Sequence, residues 1–302
     1  MDPLPTLDSL PNELLLSIVS LLPTSQLLTL LGVNRHFYSV TIRIFYSRLM
    51  KASSTPDHRV VLECYTPSEK LTTPYLYNNY LSTDTLDLDD FAADDEQDGL
   101  PKPTLGQLKG LYAHFKPVEI EGIIRPRLPR RGVPAHELPT DEPSADVYLD
   151  KNESFAQLCT VANIVKPSRT GDRFLSHANM SKGVVRVWRD WLAVQAGDRP
   201  PTPPSTRLGL GKGRRSDRTK DTILWADAAQ NMGLRFCVVK NEMGDDMPRQ
   251  PVLVSNDEDL PVCYRLMLVE LSIRVTELLL TMEKSEAQEV ANSGNALMIA
   301  TI

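Results

Sequence analysis

The sequence predicts an α+β fold: three N-terminal helices followed by a mainly antiparallel, sandwich-like β-rich domain with long disordered loops. Residues 7–50 contain closely spaced leucines between proline and glycine breaks, a pattern typical of short helices. From residue 58 onward, short runs of β-branched and aromatic residues alternate with polar segments, which indicates strands joined by loops. We therefore predict a helical domain at 5–50, a β-rich domain at 57–285 and a flexible tail at 286–302.

The first helix is predicted to lie between Pro11 and Pro23. Proline fits the first turn of a helix, but its missing N–H prevents it from continuing one. The polar residues Glu13, Ser17 and Ser20 are spaced by four and three, so they share one narrow stripe. Leucine, isoleucine and valine cover nearly all of the remaining circumference, so this helix must be buried on two sides.

Two further helices can cover one of those sides. The second is predicted at 26–31, capped by Thr24 or Ser25 and stopped at Gly32, and the third begins at Asn34. The apolar side chains that they supply are Leu27, Leu28, Leu30, Phe37, Ile44 and Phe45. A segment of roughly 45 residues is near the lower limit for a self-sufficient core, so the uncovered side indicates a protein interface.

The order and spacing of these residues resemble an F-box, the module that docks adaptors of cullin-RING ubiquitin ligases to the linker protein Skp1. Two positions depart from the family pattern: Ser25-Gln26 stands where many members have an acidic residue, and Phe37-Tyr38 where many have tryptophan. An ordinary helical hairpin packed on the rest of the chain is the alternative. The motif reads LPxEL, then I, then LL, then VNRxF, and is carried by Leu10-Pro11, Glu13-Leu14, Ile18, Leu21-Leu22, Leu27-Leu28, Val33-Asn34-Arg35, Phe37 and Tyr38.

The resemblance implies a non-catalytic adaptor that binds Skp1, and through it a cullin, and tethers an unknown substrate protein to a ubiquitin ligase of the SCF type. The four widely separated cysteines, which indicate no disulfide framework, favour a reducing cytoplasmic or nuclear location. Two alternatives stay open: a Skp1-binding scaffold that acts outside a ligase, and a carbohydrate-binding β-sandwich behind an F-box. By resemblance, the residues expected to contact Skp1 are Leu10, Pro11, Leu14, Ile18, Leu22, Leu27 and Val33.

Composition excludes several other classes of function. The 302 residues carry a formal net charge of −6, which argues against general binding to nucleic acid or to an anionic membrane. The four cysteines form no CxxC pair, so neither a zinc site nor a disulfide framework is indicated. The five histidines have no metal-ligand spacing and no GxSxG motif occurs, so we expect no catalytic residues, no metal and no cofactor.

The β-rich region is predicted from its β-branched and aromatic segments, and no internal repeat is visible. The last segment is too long for one strand, so we expect a bulge or break near Glu270, or a helical turn after Thr276. Through VVLECYTPSEKLTTPYLY, GVVRVWRDWLA and PVLVSNDEDLP this region resembles that of fungal F-box proteins. The predicted segments are 59–65, 73–81, 146–150, 154–165, 183–193, 222–227, 233–240, 251–254 and 263–283.

Trp188 and Trp191 are candidates for ligand contact, because indole rings serve either core packing or ligand stacking. In a strand they would point to opposite faces, so one could be buried and the other lie at the surface, where with Arg186 or Arg189 it could stack on a sugar or a peptide. Core packing of both rings is the alternative. The acidic segment 84–98 and the basic segment 207–220 are interpreted as solvated loops.

Overall fold

The computed structural model describes residues 7, 10–67, 70, 73–84, 103–119, 143–168, 174–197, 223–241 and 261–292. The helices in these ranges are Asn12–Val19 (α1), Thr24–Leu30 (α2), Arg35–Ser53 (α3), Leu105–Lys109 (α4), Arg189–Gln195 (α5) and Val275–Asn292 (α6). The strands are Arg59–Tyr65 (β1), Leu76–Thr83 (β2), Tyr112–Glu119 (β3), Ser144–Leu149 (β4), Phe155–Pro167 (β5), Phe174–Trp188 (β6), Ile223–Trp225 (β7), Met232–Lys240 (β8) and Val262–Arg274 (β9).

The three N-terminal helices form where the sequence predicts them. Pro11 immediately precedes α1, and Asn34 caps α3 by accepting a hydrogen bond from the Phe37 N–H at 2.8 Å. Helix α2 begins at Thr24, ahead of the predicted start, because Pro23 occupies the capping position. The Thr24 hydroxyl is buried and donates to a Glu283 carboxylate oxygen of α6 at 2.5 Å. Thr24 is therefore the first residue of α2 rather than its cap, and it connects α2 to α6.

The strands form one antiparallel sheet in the order β6-β5-β1-β2-β3-β9-β8-β7. Strand β8 pairs with one edge of β9. The other edge of β9 pairs with two strands: β4 at residues 262–267 and β3 at residues 271–274. Alternate residues of the strands point into the core, as expected for the two-residue period of a strand. The fully buried members include Leu62, Phe115, Leu158, Leu234 and Leu271.

The two ends of the sheet approach each other at Gly183 of β6. A Cβ atom at this position would lie 2.8 Å from the carbonyl carbon of Ala226, which follows β7, and closer still to its oxygen. Glycine permits this close approach of two backbones, so the sheet is nearly closed. The mainly antiparallel β-rich class is confirmed, with one curled sheet in the place of two packed sheets.

The long last segment is divided as predicted. Arg235 of β8 pairs with Glu270, but Phe236 pairs with Leu268, which places a bulge at Val269. Strand β9 ends at Arg274, and helix α6 begins at the next residue. The chain therefore changes from strand to helix two residues before the predicted position.

Other elements differ from the prediction. The segment 183–193 is not one strand, because β6 ends at Trp188 and α5 begins at Arg189. Strand β6 also begins earlier than predicted, at Phe174, and the elements α4 and β3 were missed. Three predicted loops or strands lie outside the described residues: 85–98, 207–220 and 251–254.

Helix α6 contacts both the N-terminal helices and the sheet. Its Glu283 lies 3.6 Å from the Arg48 guanidinium of α3. Its Ser285, on the opposite side of the helix, bonds to Ser176 of β6 at 2.5 Å. The buried residues of helices and sheet form one continuous cluster, and the separation into 5–50 and 57–285 stays a prediction.

The start of the predicted flexible tail is part of this packed helix. Residues 286–292 continue α6, and Glu289 forms an ion pair with Lys166 of β5 at 2.6 Å. Helix α6 extends past residue 285 because this pair and the Ser285 hydroxyl both attach it to the sheet. Residues 293–302 of the predicted tail lie outside the described residues.

Candidate docking surface and ligand contacts

The exposed apolar surface of the N-terminal helices includes one face of α1. Leu14, Ile18 and Leu21 are spaced by four and three, and they are 53%, 48% and 84% exposed. Leu21 lies just beyond α1 but continues its helical turn, because its N–H donates to the Ile18 carbonyl at 3.2 Å. These three residues, which we call the docking stripe, form an apolar surface of the kind that marks protein interfaces.

The opposite face of α1 is packed within the protein. Leu15 and Val19 are buried, and they belong to the same core cluster as Phe37 and Ile44 of α3. One side of α1 is therefore covered by the chain itself, and the docking stripe occupies the side that is left. This is the division of the helix surface that the sequence predicts.

The other residues predicted to contact Skp1 divide into exposed and buried groups. Pro11 and Val33 are exposed, whereas Leu10 and Leu22 are half-buried. Leu27 is fully buried in the core, and its neighbour Leu28 is 51% exposed. Leu27 therefore serves internal packing, because it lies on the side of α2 that is buried within the protein. The sequence predicts that Leu27 contacts Skp1, but Leu28 is the one of the two that a partner can reach.

The comparisons with known proteins agree with this geometry. Residues 7–51 match the model of the F-box-like family. The chain carries an F-box-like domain. Searches of curated proteins and of solved structures find no significant match. F-box domains generally bind Skp1 and are typically non-catalytic adaptor modules, and the match covers only the N-terminal helices.

The F-box-like domain is attached to helix α6 through Arg48 of α3. One Arg48 nitrogen, Nη2, donates to the carbonyl oxygens of Ser20 at 2.8 Å and Leu22 at 2.5 Å. The other, Nη1, donates to the Thr24 hydroxyl at 2.9 Å and lies 3.6 Å from Glu283. The guanidinium therefore binds the turn between α1 and α2 to α6, using the several donors that arginine holds in fixed geometry.

Trp188, one of the candidate ligand contacts, lies at the end of β6 and is 49% exposed. Its ring centre is 5.0 Å from that of Phe155, its partner on β5. The Arg186 guanidinium lies 5.4 Å from the Phe155 ring centre, within the range of a cation–π contact. Trp188, Phe155 and Arg186 thus form an aromatic surface patch at the end of two strands.

The other two candidate contacts are used inside the protein. Arg189 donates through Nε to the Glu153 carbonyl at 2.8 Å and through Nη2 to the Asp150 carbonyl at 2.6 Å, so it holds the β4–β5 turn. Trp191 belongs to α5, is half-buried and packs against the core. The two indoles differ in exposure, but Trp191 is half-buried rather than buried, and it lies on a helix rather than on the strand that the sequence predicts. Both bonds hold Arg189 to the protein's own backbone, and its contact with a ligand stays a prediction.

A charged network missed by sequence reasoning lies where β3, β8 and β9 are paired. His114 contacts a carboxylate with each ring nitrogen: Nε2 lies 2.9 Å from Asp84 and Nδ1 lies 2.8 Å from Glu270. Glu270 also pairs with Arg235 of β8 at 3.2 Å. The hydrogen bond to Asp84 and the nearby Glu270 raise the pKa of His114, although partial burial opposes this effect. The ion pairs of Glu270 with His114 and Arg235 therefore connect β9 to β3 and β8.

Metal binding and the reactivity of one thiol can be judged within the described ranges. They hold no group of three or more His, Cys, Asp and Glu side chains placed to bind a metal ion. Burial raises the pKa of the Cys64 thiol to about 12, so this sulfur stays protonated and unreactive at neutral pH. Among the same residues, no helix has the length and apolar character to cross a membrane.

Proposed function

We propose that this protein is an adaptor that binds Skp1 through its F-box-like domain and recruits a substrate protein to a cullin-RING ubiquitin ligase of the SCF type. The observation that carries the proposal is the docking stripe, an exposed apolar face on a helix inside the segment that matches the F-box-like family. Leu28, Val33 and Pro11 add exposed surface on the neighbouring segments. These residues give the domain an apolar surface suited to a protein partner.

In this proposal the β-rich region binds the substrate and the ligase machinery modifies it. No reactive side chain is needed, because tethering raises the local concentration of substrate lysines near the conjugating enzyme. The bonds from α6 to both the F-box-like domain and the sheet support a defined arrangement of the two ends. A protein with this arrangement acts in the cytoplasm or the nucleus, where Skp1 and cullins are found.

The test replaces two residues of the docking stripe, as Leu14→Asp with Ile18→Asp, in the full chain. Two new charges cannot be buried without a partner, so we expect Skp1 to be lost from co-purification and its affinity to fall at least 100-fold. The matched control is Val184→Asp with Val239→Asp, because these sheet residues are 49% and 47% exposed. Retained Skp1 binding by the first variant would refute the proposal.

The same preparation separates a ligase adaptor from a scaffold. Co-purification of a cullin with wild type, and its loss with the Leu14→Asp and Ile18→Asp variant, is the result expected of an adaptor. Skp1 without any cullin in the wild-type preparation is the result expected of a scaffold that acts outside a ligase. Accumulation of a particular protein when this one is removed would identify the substrate.

A second candidate function is carbohydrate binding by the β-rich region, and the exposed Trp188 patch favours it. Indole rings stack on sugar faces, and Trp188 has half of its surface available beside Phe155 and Arg186. The test is a fluorescence titration of wild type and Trp188→Ala with a broad panel of glycans. A change confined to wild type supports sugar binding, and a flat titration across the panel counts against it.

A further inference from the structure

A groove of about 560 Å³ lies beside the F-box-like domain. One wall is the turn between α1 and α2, with the end of α3, and the other wall is helix α6. Apolar side chains from both walls line it, including Leu21 and Leu279. Charged groups stand among them, with Lys51 on the α3 wall and Glu286 on the α6 wall.

The two most exposed large apolar side chains of the described residues line this one groove. Leu21 is 84% exposed on the first wall, and Val290 is 76% exposed on the second. Single exposed apolar residues are ordinary, but two such residues across one groove form a surface that a protein partner can cover.

Leu21 belongs to the groove and to the docking stripe. It follows Leu14 and Ile18 on one helical face, and its N–H donates to the Ile18 carbonyl. A partner seated on the docking stripe therefore reaches Leu21, which leads directly into the groove. The surface of the F-box-like domain is continuous with that of α6 at this residue.

We propose that the Skp1-type partner seated on the docking stripe also fills this groove and contacts Val290 of helix α6. This inference rests on the proposed function, because it extends the same interface to a helix outside residues 7–51. The partner segment that fits is apolar at its centre, to meet Leu21 and Val290, and carries an acidic and a basic group to match Lys51 and Glu286.

A partner that contacts α6 would be connected to the β-rich region, because α6 is bonded to the sheet. Helix α6 is bonded to the sheet through Ser285 with Ser176 and through Glu289 with Lys166. Val290 directly follows Glu289, so a partner that touches it sits next to an anchored point. The partner would thereby bind the F-box-like domain and the sheet as one body.

The test compares Val290→Asp with Leu280→Asp in the full chain, with Skp1 affinity measured by calorimetry. Both residues are exposed apolar positions on α6, but Leu280 is outside the groove. We expect Val290→Asp to weaken binding about tenfold, the effect of losing one buried valine, and Leu280→Asp to leave the affinity unchanged. Equal losses in the two variants would overturn the inference.

The Leu14→Asp and Ile18→Asp variant distinguishes this inference from the proposed function. Loss of binding in that variant with wild-type affinity in Val290→Asp overturns the groove contact alone. Retained binding in the docking-stripe variant overturns the proposed function itself. A second measurement uses wild type only: hydrogen exchange of backbone amides in residues 286–292 should slow when Skp1 is added, and unchanged exchange there would also overturn the groove contact.

Discussion

The N-terminal helices and the curled sheet differ in how exposed apolar side chains are distributed on their surfaces. On α1, apolar residues line up on one face as the docking stripe, and Leu21 continues that surface into the groove. On the sheet, the exposed apolar residues Leu81, Tyr148 and Val239 lie on separate strands. The polar surface of the sheet instead carries paired charges, such as Arg265 with Asp146 at 2.8 Å. Under the proposed function Skp1 covers the apolar face of the helices, whereas the exposed surface of the sheet combines paired charges with the Trp188 patch.

The largest effect expected is at Leu27 and Leu28, two adjacent residues of α2 of which one is buried and the other exposed. Leu27→Ala should reduce the free energy of unfolding by about 2–5 kcal/mol, because it opens a cavity in the core. Leu28→Ala should change it by less than about 0.5 kcal/mol, because this side chain is already exposed. Urea unfolding of both variants measures the difference. Similar values would contradict the assignment of Leu27 to the core and Leu28 to the surface.

A smaller loss is expected where the ends of the sheet meet. Gly183→Ala places a methyl group against the Ala226 backbone, and we expect it to destabilise the protein by about 1–3 kcal/mol. Gly106→Ala in α4 is the control, since the nearest atom to its added Cβ, Thr104 Oγ1, lies 4.0 Å away and alanine favours a helix. A thermal melt should show a lower midpoint for the first variant only. An unchanged midpoint would mean that the sheet ends are farther apart.

Arg48→Ala, at the junction between the two regions, should reduce the free energy of unfolding by about 1–2 kcal/mol. The change removes the donor to the Ser20 and Leu22 carbonyls and leaves Glu283 with one partner fewer. Arg48→Lys keeps the charge but not the planar set of donors, so we expect it to recover only part of the loss. Urea unfolding of the three proteins tests this order, and full recovery by lysine would show that charge alone matters.

The smallest effect expected is a pH dependence from His114 on the sheet. The pKa of His114 is raised above 6.5 in the folded protein, so its protonated form stabilises the fold. This stabilisation is fully present below pH 6.5 and is lost as the pH rises through the higher folded pKa. The free energy of unfolding of wild type relative to His114→Asn should therefore decrease above pH 6.5.

Asp84→Asn is the control for that measurement. The hydrogen bond to Asp84 is the main cause of the raised pKa of His114, so its removal should flatten the pH dependence. Burial and the nearby Glu270 carboxylate remain in this variant. A difference between wild type and His114→Asn that is the same from pH 5.5 to 9 would contradict the paired geometry.

The N-terminal helices could be predicted well because their signals are local. Pro11 and Pro23 mark helix ends by their backbone chemistry, and Asn34 does so by its side-chain cap. The direction of Leu27 and Leu28 could not be read in the same way. The two residues differ by 100° around the helix, and which one faces inward depends on where the neighbouring helices α3 and α6 lie.

The sheet was predicted less evenly, for two physical reasons. Strand β3 alternates buried Ala113 and Phe115 with His114, which was a usable period-two signal hidden by its polar residues. The first half of β6 gave little signal, because α6 covers small or polar residues there, such as Ser176. Val290 had no signal at all, since it is a single apolar residue in a polar helical stretch.

The placement of α6 has a consequence for the order in which the protein is made. Thr24 and Glu283 are bonded across 259 residues of sequence. At a synthesis rate of roughly 5–20 residues per second, α6 is made roughly 15–50 s after the helices that it contacts. During that interval the Arg48 junction lacks its carboxylate and the groove lacks one wall. If the partner contacts Val290 as proposed, it would hold chains in which α6 has been synthesised more tightly than chains that still lack this helix.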